Sequence, residues 1–226
     1  MRRIKSDVPF LTDQELEVRA DKLLDRAARE HGIAIGPPVP VEPIAEVVFD
    51  LRLDWVPLED DTLARLNCED WSIQPNERQR ESFARYPGQY EFTLGHELFH
   101  AIEHVEDVGE QLSLDLTLED RVAYRRQRQR QQERQWHIGA TVQDRRRDIQ
   151  ADRFAGFLLM PKRFLVPAIQ GKNVCDHATR IELARKFSVS LSAMTVRLQQ
   201  LGCLYRGPDG RFYRSAAEAT GQIALF

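Results

Sequence analysis

His96-Glu97-Leu98-Phe99-His100 is the stretch of this chain whose residue types and spacing can do chemistry. Side chains four apart on a helix stand one turn above each other on a single face. His96 and His100 can therefore aim two imidazole nitrogens at one ion, a pairing that suits zinc at about 2.0–2.1 Å. Glu97 lies beside that face, where a carboxylate can take the proton of a water activated by the metal. So short a pattern gains its weight from its surroundings. Leu94, Leu98, Ala101, Ile102 and Val105 supply an apolar stripe, and after Gly95 neither Pro nor Gly interrupts it. One unbroken helix through Val105 is the expectation.

Two histidines alone hold zinc poorly; a catalytic site usually has three protein ligands and an open position. The metzincin extension fails, because Glu103 and Glu106 stand where Gly and His are required. A better third ligand lies in Asp148-Ile149-Gln150-Ala151-Asp152, the start of a helical stretch that Pro161 stops. Ala151, Ala155 and Gly156 are small enough to let this helix approach the histidine helix closely. Asp148 is assigned as the third ligand of one zinc ion per chain. Asp152, four residues on, is assigned as the acceptor that orients one imidazole, a partner metal-bound histidines normally have. His104 shares the face of His96 and His100 but lies about 6 Å along the axis from His100, too far to complete the same site. It is read as structural or as a residue of the substrate cleft. A stabiliser for the tetrahedral oxyanion is not singled out: Tyr86, Tyr90 and His104 are candidates, beside His31, His137 and His177.

The elements that must position these residues follow from periodicity and turn chemistry. Residues 13–31 repeat apolar side chains at helical spacing and end at Gly32. Residues 36–43, rich in proline, form an extended link into a short helix over 44–49. From Leu51 to Tyr90 the signals are strand-like and broken at Pro75-Asn76 and Pro87-Gly88. That predicts a small sheet just before the histidine helix, with a strand within 82–86 whose edge would hold an extended peptide. A chain of 226 residues can bury a sizeable core, and its net charge of −3 gives no basic footprint for nucleic acid. Mean hydropathy is −0.48, and no apolar run reaches the roughly 18 residues of a membrane span. Cys68, Cys175 and Cys203 lack metal-ligand spacing and suit reduced packing residues, so a cytoplasmic protein is expected. The Arg/Gln-rich run 125–135, flanked by acids, is read as a solvated insertion.

Residues 38–45, 92–104, 148–161, 183–190 and 197–202 resemble, in order, the ImmA/IrrE-type metallopeptidases, relatives of the thermolysin-like gluzincins. The resemblance implies an α+β fold: a thermolysin-like core with a small sheet before the His-Glu-x-x-His helix, then a helix-turn-helix-like unit and a hairpin. Residues 1–170 would form the peptidase core, 171–204 the helical unit packed on it, and 205–226 the hairpin and tail. It further implies limited cleavage of a helix-turn-helix transcriptional repressor in phage, mobile-element or stress regulation. This chain departs from the family in carrying Asp148 where Glu is usual, one methylene shorter, and in the long insertion between the two metal helices.

The C-terminal third suggests a rival function. Ile181 to Phe187, the turn 188–190 and Leu191 to Leu201 have helix-turn-helix spacing. A DNA reader presents cations and polar groups from its second helix, whereas 191–197 offers Arg197 alone. The unit is therefore read as part of the peptidase and direct DNA binding as disfavoured. A DNA-binding regulator or toxin–antitoxin component with a vestigial site is the alternative. Beyond a hairpin over 205–213 and a polar segment over 215–220, Gln222-Ile223-Ala224-Leu225-Phe226 resembles the peptide by which bacterial replication proteins bind the sliding clamp. That makes the clamp a second candidate partner.

Overall fold

The computed structural model describes residues 2–4, 10–107 and 142–221. The Arg/Gln-rich run 125–135, His137 and the clamp-like segment 222–226 lie outside the described residues. The architecture is α+β.

Strand β1 (Arg2–Ile4) precedes helix α1 (Asp13–His31). Thr12 caps α1 through the backbone of Glu15, whose carboxylate answers to the Thr12 amide. Gly32, at φ 66°, takes the left-handed conformation that closes the helix. Leu16, Ala20, Leu23, Leu24 and Ala27 form its buried face, as the periodicity predicts. Helix α2 (Val41–Phe49) starts three residues earlier than expected. Glu42 and Pro43 sit in its first turn, where a missing proline N–H leaves nothing unsatisfied.

The small sheet has the order β2-β4-β3, with β2 (Arg52–Leu53) parallel and β3 (Ala64–Asn67) antiparallel to the central β4 (Ser72–Pro75). Asn76 then ends the sheet. Fully buried, it accepts from the amides of Leu58 and Arg78, each at 3.0 Å, and donates to the carbonyls of Glu59 and Thr62. That bonding starts a 3₁₀ turn over Glu77–Gln79, which runs into helix α3 (Arg80–Arg85). The expected strand within 82–86 is therefore helical, and it offers no edge to a substrate. Phe83 explains the change. It buries alone, meeting the rings of Trp55 and Tyr90 at 6.0 and 5.4 Å, which one turn of helix satisfies and period-two alternation would not.

Helix α4 (Pro87–Phe99) opens with Pro87 at its first position rather than being separated from α3 by a loop. It does not run on to Val105. His100–His104 form a π-helical turn, and strand β5 (Val105–Asp107) pairs antiparallel with β1, Ile4 opposite Val105. Glu103 in that turn is ion-paired with Arg19 of α1. Both constraints come from residues distant in sequence, so local helical signals could not reveal them.

 Helix α5 (Val142–Leu159) lies along α4, with Gly95 directly against Ala155. A Cβ at Gly95 would sit 3.3 Å from the Ala155 Cβ, so only glycine lets the helices approach this closely without adjustment. The rings of Phe99 and Phe154 meet at 4.9 Å beside that contact. Gly156, read from sequence as part of the close approach, faces open space instead.

Helices α6 (Lys162–Ile169), α7 (His177–Lys186) and α8 (Leu191–Gln200) follow. Ser190 caps α8 by accepting from the Ala193 amide at 3.0 Å. Leu183, Phe187, Met194 and Leu198 from α7 and α8 belong to the same buried cluster as Leu94, Leu98 and Leu158. Each such side chain contributes about 1.5–3 kcal/mol of apolar burial. Arg197, the lone cation of α8, is buried too: it donates to the Met160 carbonyl at 3.0 Å and pairs with Glu17 of α1. Strands β6 (Tyr205–Arg206) and β7 (Phe212–Tyr213) make the expected hairpin. The polar segment after it is a short helix, α9 (Ala216–Ala219), capped by Ser215. Among the described residues no helix is long and apolar enough to cross a membrane.

Candidate metal centre

His96 stands in the last turn of α4, and His100 begins the π-helical turn that follows. Their four-residue spacing brings the two Nε2 atoms to 3.0 Å. The packing of α5 on α4 adds Asp148, whose Oδ1 lies 3.6 Å from His100 Nε2. One donor atom from each of His96, His100 and Asp148 lies within 4.8 Å of the others. Tetrahedral ligands bound to zinc at about 2.0–2.1 Å would stand about 3.3 Å apart. The separations of 3.0 and 3.6 Å bracket that value, so two imidazoles and a carboxylate fit a single zinc ion without rebuilding the helices.

Asp152, one turn along α5 from Asp148, places Oδ1 2.8 Å from His96 Nδ1. Nδ1–H donation to this carboxylate leaves Nε2 unprotonated and facing His100, the tautomer a ligand needs. Burial pulls the His96 pKa down, but the Asp152 hydrogen bond and the charges of Glu97, Asp152 and Asp148 outweigh it and hold the pKa above its ordinary value. Concentrated negative charge of this kind favours a cation at the imidazoles. Glu97, next to His96 in sequence, is buried, at 9% exposure.

The oxyanion candidates fall in different places. Tyr90 stacks on Trp55 at 5.5 Å, and its hydroxyl donates to Glu42 Oε2 of α2 at 3.2 Å. Burial and the Glu42 charge push its pKa up, so that proton stays on the phenol. Tyr86 is 58% exposed and lines a groove that also reaches Asp152. His104 lies in the π-helical turn, and its side chain is outside the described residues.

Two residues of the site's framework escaped the sequence reading. Gly95 is one. Gly88 is the other: Pro87-Gly88 has the look of a turn, yet a Cβ there would stand 2.7 Å from both the Ser188 carbonyl oxygen and the Val189 Cα. The first turn of the histidine helix is thus pressed against the backbone between α7 and α8. A glycine within a helical pattern is the signal that marks such close approaches.

Residues 137–199 match the model of the IrrE N-terminal-like domain, a peptidase family. The matched stretch holds Asp148, Asp152 and the α7–α8 unit, while His96 to His100 precede it. No curated protein matches the chain. Among solved structures the chain is similar to a Mycobacterium tuberculosis transcriptional regulator, with a TM-score of 0.52 and 18% identity. The likeness covers 84% of this chain and 48% of that one, so the chain spans about half the regulator's length. At this identity it speaks for the fold. The family match and the shared fold both agree with the ImmA/IrrE-type resemblance of the sequence.

Proposed function

We propose that this protein is a zinc-dependent endopeptidase that makes limited cuts in a protein substrate. The observation that carries the reading is the convergence of His96 Nε2, His100 Nε2 and an Asp148 oxygen from two helices. In this reading His96, His100 and Asp148 hold the ion, and Asp152 keeps His96 in the binding tautomer and orientation. Zinc held by these residues would supply Lewis-acid chemistry, lowering the pKa of a bound water toward about 7 and polarising a peptide carbonyl. Glu97 supplies the proton traffic. Its carboxylate takes a proton from the attacking water and returns it to the amide nitrogen as the peptide bond breaks.

The substrate we infer is a helix-turn-helix transcriptional repressor, as the ImmA/IrrE resemblance implies. The alternative, a DNA-binding regulator with a vestigial peptidase site, finds little support in α8: its single arginine is buried against Met160 and Glu17 and is not available to phosphate. Co-expression with the repressor encoded beside this chain tests the proposal. One discrete cleavage that Glu97→Gln prevents, with zinc content unchanged, is the expected result. A cut that persists in Glu97→Gln would remove Glu97 from the chemistry, and purified protein without zinc would remove the metal.

A further inference from the structure

A groove with a volume of about 1120 Å³ runs from Asp152 along the seam of α4 and α5 to the α7–α8 unit. It is larger than the roughly 300–1,000 Å³ typical of small-molecule pockets. Its lining is mostly apolar, with Phe92 and Met160 toward the metal helices and Val189 and Val196 toward the helical unit. Val196 is 51% exposed, a β-branched apolar side chain facing outward from α8. The charges around the groove are unbalanced. Arg85, Arg153, Arg185 and Arg197 line it, with Asp152 as the acidic counterpart. Arg197 is taken by Glu17, Arg153 by Asp13 at 2.6 Å, and Asp152 by His96. Arg85 and Arg185 are both exposed, and neither forms an ion pair among the described residues.

We propose that this groove is the docking channel for the substrate chain, and that it takes a segment with apolar anchors and acidic side chains. The proposal rests on the peptidase reading: the groove reaches Asp152, the residue behind His96, and so lies beside the metal centre, where it holds one part of a substrate chain while another part meets the metal face. The apolar floor would bury the anchors, and guanidinium groups at Arg85 and Arg185 can each hold a carboxylate bidentately. The helical unit would then serve as one wall of the channel. Gly88 supports that role, since the backbone contact with Ser188 and Val189 fixes this wall to the helix that carries His96 and His100. A DNA-facing role would call for the opposite arrangement, with cations along α8 itself.

The test is binding, kept separate from cleavage. Full-length Glu97→Gln protein is titrated by fluorescence anisotropy with two labelled twelve-residue peptides, one alternating Leu and Glu, the other alternating Leu and Lys. The Leu/Glu peptide should bind at least tenfold more tightly. Arg85→Glu combined with Arg185→Glu should lower its affinity at least tenfold, and Val196→Glu should weaken it through the apolar floor. Equal binding of the two peptides, no binding of the Leu/Glu peptide, or indifference to the double charge reversal would overturn the proposal. The titration is repeated after chelation of metal. Retained binding by a protein that shows no zinc or no cleavage would then count against the peptidase reading while leaving the groove assignment standing.

Discussion

Asp152 offers the sharpest test of how the centre is held. Its Oδ1 lies 2.8 Å from His96 Nδ1, on the side of the imidazole away from the metal face. Removing such an outer partner typically lowers metal affinity by 10–100-fold, about 1.4–2.8 kcal/mol. The Asp152 side chain is 58% exposed, so water screens its charge and can replace part of the hydrogen bond. Asp152→Ala is therefore expected near the lower end, about tenfold weaker for Zn²⁺. Asp152→Asn keeps an acceptor oxygen without the charge and should fall between wild type and Ala. Competition with a chromophoric chelator measures both, and thermal unfolding of the metal-free proteins checks that the fold is intact, since an exposed substitution of this kind usually changes stability by no more than about 0.5 kcal/mol. Wild-type zinc affinity in Asp152→Ala would refute the orienting role, and His96 would then need no help from α5.

Three further outcomes follow from the packing. Gly95→Ala should be nearly neutral, because a contact at 3.3 Å to Ala155 is offset by about 1 kcal/mol of helix propensity; Gly95→Leu should cost about 1–3 kcal/mol in denaturant unfolding and weaken zinc binding by pushing α4 from α5. Arg197→Leu strands Glu17 and the Met160 carbonyl and should destabilise by about 2–4 kcal/mol, the partial exposure of Glu17 keeping it below the full cost of a buried unpaired charge; a Glu17→Gln/Arg197→Leu double variant should lose less than the two single losses combined. Glu91 gives the pH dependence. Burial first, then the neighbouring Glu42, raise its pKa from 4.5 to about 7, against the Val41 amide, so the unfolded chain releases this proton at lower pH than the fold does. Its contribution is thus fully present below about pH 4.5 and lost as pH rises through about 7, and Glu91→Gln should gain up to about 3 kcal/mol over wild type at pH 8 but little at pH 4. Equal gains at both pH values would show that the carboxyl is not buried as a charge.

Local sequence carries the parts of this protein that are set by local physics. The His96–His100 spacing needs only one turn of helix, and α1 declares itself through its apolar repeat, the Thr12 cap and Gly32. Asp148 and Asp152 could be chosen because they too sit four apart on one helix, and small residues nearby imply a close neighbour. Where local signals misled, a distant partner had intervened. Val105 has every mark of a helix residue until Ile4 pairs with it, and 82–86 looks like a strand until Phe83 meets Trp55 and Tyr90. Arg197 looks like a surface cation until Glu17, 180 residues earlier, receives it. Only the tertiary structure could decide that the first turn of the histidine helix rests on the α7–α8 backbone, and that donor atoms of His96, His100 and Asp148 come within 4.8 Å of one another. Those facts depend on how two helices cross, and a crossing is settled by the shapes of both faces together: Gly95 means a close approach only once Ala155 is opposite it.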